Sequence, residues 1–264
     1  MADPTRSLHP ARRFIRYPLE VIGILITYLF FKLLPPRTAS DLGGYLGRKI
    51  GPKLGISKRA EKNIRFIFPK WNSEKVSSTT VQMWDNLGRV IAEMPHVRHI
   101  ARWARTGELE IVNRDYLARF CQTGKPIIFF SGHFSNWELF PHINRELGAS
   151  HSFVYRAPNN PLIDRLLRYF RRMDNEEMIR KGAKETKSLL TLLNRGGRLM
   201  LLVDQKMNDG IPILFLGQKA MTAPGVANLA IKYKCPVIPI RLQRNKGCNF
   251  KMTILPPVTH PDTG

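Results

Sequence analysis

His133 and Glu138 are separated by four residues in Gly-His-Phe-Ser-Asn-Trp-Glu, directly after the apolar run Pro126-Ile127-Ile128-Phe129-Phe130. A buried strand is expected to end there and to deliver a histidine and a carboxylate to its exit. Those two groups suit acyl transfer to an alcohol. A hydroxyl is a poor nucleophile at neutral pH; an imidazole in hydrogen-bond reach accepts its proton, and a carboxylate holds the ring and stabilises the imidazolium. No serine or cysteine of the protein need be acylated. The same residues also read as a helix start, with Ser135 as cap and Glu138 as the returning partner of a capping box that never touches His133. Positions five apart on one helix diverge by about 140°, so the histidine must precede the helix in either reading.

Further polar residues fall at the ends of other apolar runs. Arg156 ends one of them, and Arg168, Arg171, Arg172 and Arg180 follow on or after the next helical stretch. A guanidinium fork bonds phosphate or carboxylate through two parallel hydrogen bonds. Arg156 and Arg171 are the candidate anion binders, whereas Arg165, Arg168 and Arg172 read as a solvated face. Asp204 and Gln205 close the run Leu199-Met200-Leu201-Leu202-Val203. Asp204 and Asp209 have no histidine or third carboxylate at ligand spacing, so no metal is expected and Asp204 takes a structural or acceptor-positioning role. Asn136 joins the candidate substrate-binding residues, and Gly217 marks a tight turn beside a helix capped by Thr222. His96, His99 and His142, with Trp84, Trp103 and Trp137, read as core or surface residues.

The elements that must hold these groups alternate from residue 109 onward. Strands are predicted at 109–112, 126–131, 152–156, 198–203, 236–242 and 250–255, and helices near 136–147, 159–172, 182–194 and 222–234. That alternation predicts an α/β fold with a largely parallel central sheet flanked by helices, which places functional residues at the carboxyl ends of strands. Before it, residues 38–108 read as a helical platform, including one helix from a cap at Ser73 to about residue 105. Residues 1–37 form a basic and apolar segment. Within it, residues 18–34 are apolar except for Glu20, Thr27 and Lys32. At about 25 Å, this run is at the short edge of what spans a bilayer, so a membrane-anchoring helix that crosses or lies partly sunk is expected. Three domains follow: anchor 1–37, platform 38–108 and catalytic domain 109–264.

The chain has 42 Lys+Arg against 20 Asp+Glu, a net charge of +22, which predicts anionic partners. Cationic residues on both sides of the apolar run suit anionic headgroups, with the catalytic mass on the cytoplasmic side. No zinc-finger spacing, RNP-like aromatic signature or basic amphipathic arm is present, which disfavours nucleic acid as the partner. Cys121, Cys235 and Cys248 are widely spaced and odd in number, which argues against a disulfide framework.

The segment GHFSNWE resembles the His-x4-Asp/Glu motif of the lysophospholipid acyltransferase superfamily. The chain is most similar to its bacterial lipid A late acyltransferase branch, of lauroyl or myristoyl acyltransferase type. VYRAPNNPLID at 154–164, FRRMDNEEMIRKG after it, LLVDQ at 201–205 and IPILFLGQKAMTAPGVANLA at 211–230 follow in the family's order. The resemblance implies His133 as general base and Glu138 as its orienting partner. It implies a role for Arg171 at the lipid acceptor or the reacting oxyanion, and places Gly217 beside the substrate groove. It implies a fatty acyl thioester on acyl carrier protein as donor, a phosphorylated glycolipid (a lipid A precursor) as acceptor, no metal or other cofactor, and a bacterial inner-membrane location. The alternatives are a glycerophospholipid-type acyltransferase, or a non-catalytic protein that binds nucleic acid or an anionic membrane. The family continues past the ending at residues 260–264, so a terminal helix is expected beyond it.

Overall fold

The computed structural model describes residues 10–171, 178–180, 182 and 186–258. Arg172 and the ending 259–264 lie outside them. The first element, α1 (Pro10–Lys32), carries the apolar run. Its segment Phe14–Lys32 has a mean hydropathy of 1.6 and is long and apolar enough to cross a membrane, while only 6% of it is buried by the rest of the protein. Glu20, the single carboxylate in that stretch, is matched: it accepts from Arg16 at 2.6 Å and from Asn160 at 2.9 Å. A stack of Tyr28 on Phe170, with ring centroids 4.2 Å apart, ties the helix down.

Four helices follow: α2 (Pro36–Ile50), α3 (Ser57–Ile67), α4 (Ser73–Glu93) and α5 (Val97–Thr106). Helices α2 and α4 cross at glycines. A Cβ on Gly43 would come within 2.5 Å of both Ala92 Cβ and the Gly88 carbonyl, so nothing larger permits this approach. Two local expectations are corrected here. The cap of α4 is Asn72, whose side chain accepts the Lys75 N–H at 2.9 Å; Ser73 is already helical. The single helix expected to run to about 105 is broken by a 3-10 turn at Met94–His96. Pro95 has no N–H to donate, and its ring crowds the carbonyl four residues earlier.

A seven-stranded sheet makes up the rest of the core. Its strands are β1 (Glu110–Val112), β2 (Ile127–Ser131), β3 (Ser152–Tyr155), β4 (Met178–Arg180), β5 (Arg198–Leu202), β8 (Val237–Lys246) and β9 (Asn249–Ile254). The order is β1-β9-β8-β2-β5-β3-β4, and every neighbouring pair is parallel except β8 with β9. Helices α6 (Arg114–Cys121), α7 (Leu139–Glu146), α8 (Pro161–Phe170), α9 (Thr186–Asn194) and α10 (Gly225–Tyr233) connect them. The α/β architecture with a largely parallel sheet is as the alternation predicted. Central β2 is buried along most of its length, and Ile127, Phe129, Phe140, Ile143, Ile238 and Met252 pack into one core. That explains its continuous apolar reading.

The hairpin β6 (Ile211–Phe215) and β7 (Gln218–Thr222) stands apart from the main sheet. Leu216 and Gly217 form its two-residue turn at φ 49° and 75°, the left-handed pair that such hairpins require. Thr222 therefore ends a strand rather than capping a helix; α10 begins only at Gly225, after Pro224. Cys235 and Cys248 are buried, and burial pushes both thiols up from their ordinary value. They behave as small hydrophobes.

Candidate active site

Strands β2 and β5 are parallel neighbours in register, Ser131 opposite Leu202, and the pairing runs one step further through the Val203 N–H to the Ser131 carbonyl at 2.9 Å. Their exits therefore lie side by side. One exit carries His133 and the other Asp204 and Gln205. The Asp204 carboxylate accepts the backbone N–H of His133 at 2.8 Å, and its other oxygen lies 2.7 Å from His133 Nδ1. An Nδ1–H donated to a carboxylate leaves the lone pair on Nε2, the nitrogen that can take a proton. The Gln205 amide nitrogen lies 3.4 Å from that Nε2, and Trp137 packs edge-on to the ring at 5.1 Å.

The carboxylate expected to hold the ring is elsewhere. Glu138 accepts from Arg171 twice, Nε to Oε2 at 2.8 Å and Nη2 to Oε1 at 2.5 Å, and from Trp137 Nε1 at 3.0 Å. The turn between them is the physical cause. Ser135 takes φ 53°, and α7 begins only at Leu139 with Glu138 as a cap residue that makes no side-chain capping bond. Neither the His133–Glu138 pair nor the capping box forms; an arginine 33 positions away is the partner of Glu138 instead. Arg171 reaches it from the carboxyl end of α8.

His133, Glu138, Arg156, Arg171 and Gln205 line one cavity of about 560 Å³, within the range that encloses a small ligand. Its other walls are mainly apolar, with Phe140 from α7, Phe153 from β3, Met200 from β5 and Leu229 from α10 among them. Strand exits supply His133, Arg156 and Gln205, the ends of α7 and α8 supply Glu138 and Arg171, and strands and helices together supply the apolar walls. Three candidates sit outside the cavity lining, the first being Asp204, which reaches the cavity only through its hold on His133. Asn136 is fully buried beneath the loop, and Gly217 is at the hairpin turn, where only a glycine-like φ is demanded.

Asn136 instead belongs to a network that sequence reading missed. Glu93, at the end of α4, is completely buried and accepts from Asn136 Nδ2 at 2.7 Å, from Ser40 Oγ at 2.6 Å and from both terminal nitrogens of Arg244. Arg244 also donates to Asn86 Oδ1 at 3.2 Å, and Asn86 Nδ2 donates to the Ser135 carbonyl at 2.9 Å. The other end of Asn136 accepts the Glu138 N–H at 3.1 Å. The segment between His133 and Glu138 is thereby bolted to the platform and to β8. The available sequence signal was a lone acid, Glu93, closing the apolar turn Val90-Ile91-Ala92. Arg168 and Arg180 both bind Asp164, itself 1% exposed. Arg168 lies on α8 itself, four residues from Asp164, whereas Arg180 on β4 joins α8 to the sheet edge.

A sequence profile for the family described as bacterial lipid A biosynthesis acyltransferase matches residues 7–264. The chain belongs to this family. Acyl transfer in lipid A synthesis is the activity that this membership carries. The acyltransferase is 27% identical over 274 residues to the lipid A biosynthesis lauroyltransferase of Escherichia coli (strain K12), covering 97% of this chain and 83% of that protein. It is 24% identical over 247 residues to a lipid A biosynthesis acyltransferase of Haemophilus influenzae (strain ATCC 51907 / DSM 11121 / KW20 / Rd), covering 91% and 77%. Among solved structures, the 1-acyl-sn-glycerophosphate (LPA) acyltransferase PlsC of Thermotoga maritima is similar at 11% identity and a TM-score of 0.38, over 91% of this chain and 88% of that one. So distant a likeness transfers no residue role to this acyltransferase.

Proposed function

We propose that the protein moves a fatty acyl chain from an acyl carrier protein thioester to a hydroxyl of a phosphorylated glycolipid, a lipid A precursor, with His133 as general base and Asp204 as the carboxylate that orients it. The observation that carries this reading is the double hold of Asp204 on His133, which occupies Nδ1 and leaves Nε2 for a substrate proton on the wall of a mainly apolar cavity. His133 Nε2 takes the proton of the acceptor hydroxyl as its oxygen attacks the thioester carbonyl. The tetrahedral oxyanion then collapses, the carbon–sulfur bond breaks, and the imidazolium returns the proton to the leaving thiolate. An ester and a free carrier thiol result.

Since a thioester is already activated, positioning and charge stabilisation are the remaining tasks. The Gln205 amide is placed to donate to the oxyanion once an acceptor hydroxyl has replaced it at Nε2. Glu138 holds Arg171 in place at the groove wall, and Arg156 adds a second cation there. The apolar face of α1 brings the enzyme to the bacterial inner membrane as an anchor ahead of the helical platform and the catalytic domain, with the groove on the cytoplasmic side.

His133→Ala is expected to abolish ester formation from carrier thioester and lipid acceptor, followed by mass spectrometry of the product, while circular dichroism stays native. Turnover near that of the unaltered protein would reject the mechanism.

A further inference from the structure

A second cavity, of about 920 Å³, opens where the last turn of α1 meets α5, α7 and the end of α8. Its lining is cationic. Arg98, Arg102 and Arg105 stand on one face of α5 at helical spacing, Arg145 comes from α7, and Lys32 from α1. Among the described residues the single carboxylate in the lining is Glu146, and it is bound by Arg105. Among the described residues, neither Lys32 nor Arg102 has a carboxylate partner. Gathering like charges on a concave wall is unfavourable until an anion enters, and it draws that anion in.

Two further features say what kind of anion fits. His142 belongs to the walls of both cavities, so the cationic chamber and the catalytic groove are neighbours with this side chain as part of their partition. Burial, then the nearby guanidinium groups of Arg98, Arg145 and Arg171, push this imidazole down to about 4, so the partition is uncharged at neutral pH and the positive field belongs to the arginines and the lysine. On the other side, the chamber opens beside the Tyr28–Phe170 stack at the end of α1, whose apolar side chains Ile22, Ile26 and Leu29 face outward. A ligand with an anionic head and apolar tails matches both halves of this surface. A protruding acidic protein surface fits a concave chamber less well.

We propose that this chamber is the headgroup subsite for a phosphorylated lipid acceptor, with Lys32, Arg98, Arg102 and Arg145 gripping phosphate while the acyl tails lie along α1. The assignment rests on the acyl-transfer reading above and adds to it the place where the acceptor's charge is recognised.

The test uses the full-length enzyme carrying Arg98→Gln together with Arg102→Gln, and Arg102→Lys as the charge-conserving control. The KM for the phosphorylated acceptor is expected to rise about tenfold or more, since a charge-assisted phosphate contact is lost. The KM for the carrier thioester should stay unchanged, the preference for phosphorylated over dephosphorylated acceptor should collapse, and Arg102→Lys should retain most of it. An unchanged acceptor KM overturns the proposal, and so does a rise confined to the donor KM, which would make the surface a carrier-protein dock. Inhibition by inorganic phosphate that is equally strong with phosphorylated and dephosphorylated acceptors would mark a free-anion site and also overturn it. If no acceptor is acylated at all, flotation with phosphatidylcholine vesicles containing a phosphorylated glycolipid, or its dephosphorylated form, separates the two ideas. Binding that needs both the phosphate and the two arginines keeps the subsite and rejects acyl transfer; equal binding by variant and unaltered protein rejects the subsite.

Discussion

The carboxylate of Asp204 meets His133 twice, at the backbone N–H and at ring Nδ1, 2.8 and 2.7 Å away. A side chain that clamps both the loop and the ring of His133 controls where Nε2 points as well as which tautomer is present. Glu138, the acid nearest in sequence, is engaged by Arg171. The two acids therefore have separable jobs.

Replacement of each acid by its amide should show that separation. Asp204→Asn puts an N–H donor where an acceptor is needed and favours the wrong tautomer, so kcat is expected to fall by about 10²–10⁴-fold, as for other carboxylate–histidine pairs. Glu138→Gln weakens the hold on Arg171 and should act more on the acceptor KM, with a smaller loss in kcat. Steady-state kinetics with both substrates varied decides the matter; a larger kcat loss for Glu138→Gln would restore Glu138 as the orienting acid.

Glu93 and Arg244 are expected to matter for both stability and rate. Removing either one leaves a buried charge without its partner, so Glu93→Ala or Arg244→Ala should cost about 3–5 kcal/mol. The double variant should cost much less than the two losses added, because the stranded charge is gone. Urea unfolding of the four proteins forms the cycle. Any Glu93 variant that remains folded should also have reduced kcat, since Asn136 loses its acceptor and the segment between His133 and Glu138 loosens. Additive losses would argue against coupling between the two.

At the α2–α4 crossing, a Cβ on Gly88 would lie 2.1 Å from the Gly43 carbonyl oxygen, so backbone would have to move. Gly88→Val is expected to destabilise by about 1–3 kcal/mol or more through overpacking. The control is Gly23→Ala in α1, where an added Cβ meets nothing within 4 Å. That change should be neutral or slightly stabilising, by up to about 1 kcal/mol. Thermal unfolding of both variants checks the contrast.

Acid should weaken the fold through two histidines. Burial, followed for His142 by its surrounding guanidinium groups, pushes His142 and His151 from 6.5 down to about 4. Between those values the unfolded chain binds more protons than the folded one, so stability is full above the unfolded value and falls as pH drops through the window. The loss is of the order of 3 kcal/mol for each such histidine once pH reaches the folded value. Urea midpoints measured from neutral pH down to the folded value should fall, and His142→Gln should flatten that dependence. A dependence left unchanged in His142→Gln would show that other groups cause it.

Local rules account well for the parts of the protein that depend on neighbours in sequence. Residues 127–130 read as a buried strand because every side chain is apolar, and the strand's exit had to carry His133. The apolar run in α1, the alternation of strands and helices, and the concentration of polar groups at strand ends follow from the same short-range patterns. Pro95 is a local signal of the same kind, since proline breaks a helix, but the apolar periodicity that continues past it predicts one longer helix. The strand β4 and the β6–β7 hairpin escaped notice for a different reason. The first is only three residues long, and the second turns through Leu216 in a left-handed conformation that leucine seldom adopts.

The partners of the reactive groups belong to the other class of fact. Spacing set His133 and Glu138 near one another, yet a left-handed Ser135 and the late start of α7 turned the acid away. Asp204 reached the imidazole only because β5 lies beside β2 in register, a pairing between residues 71 positions apart. Glu93 meets Asn136 across 43 positions and Arg244 across 151. Sequence by itself determined which residue types stand at the strand exits and that a long apolar helix precedes them, because backbone propensity and apolar periodicity act over a few residues. Tertiary structure alone decided which acid holds His133, which cation holds the other acid and which arginines share a chamber, because a hydrogen bond depends on distance in space, and that distance is set by strand order and helix packing.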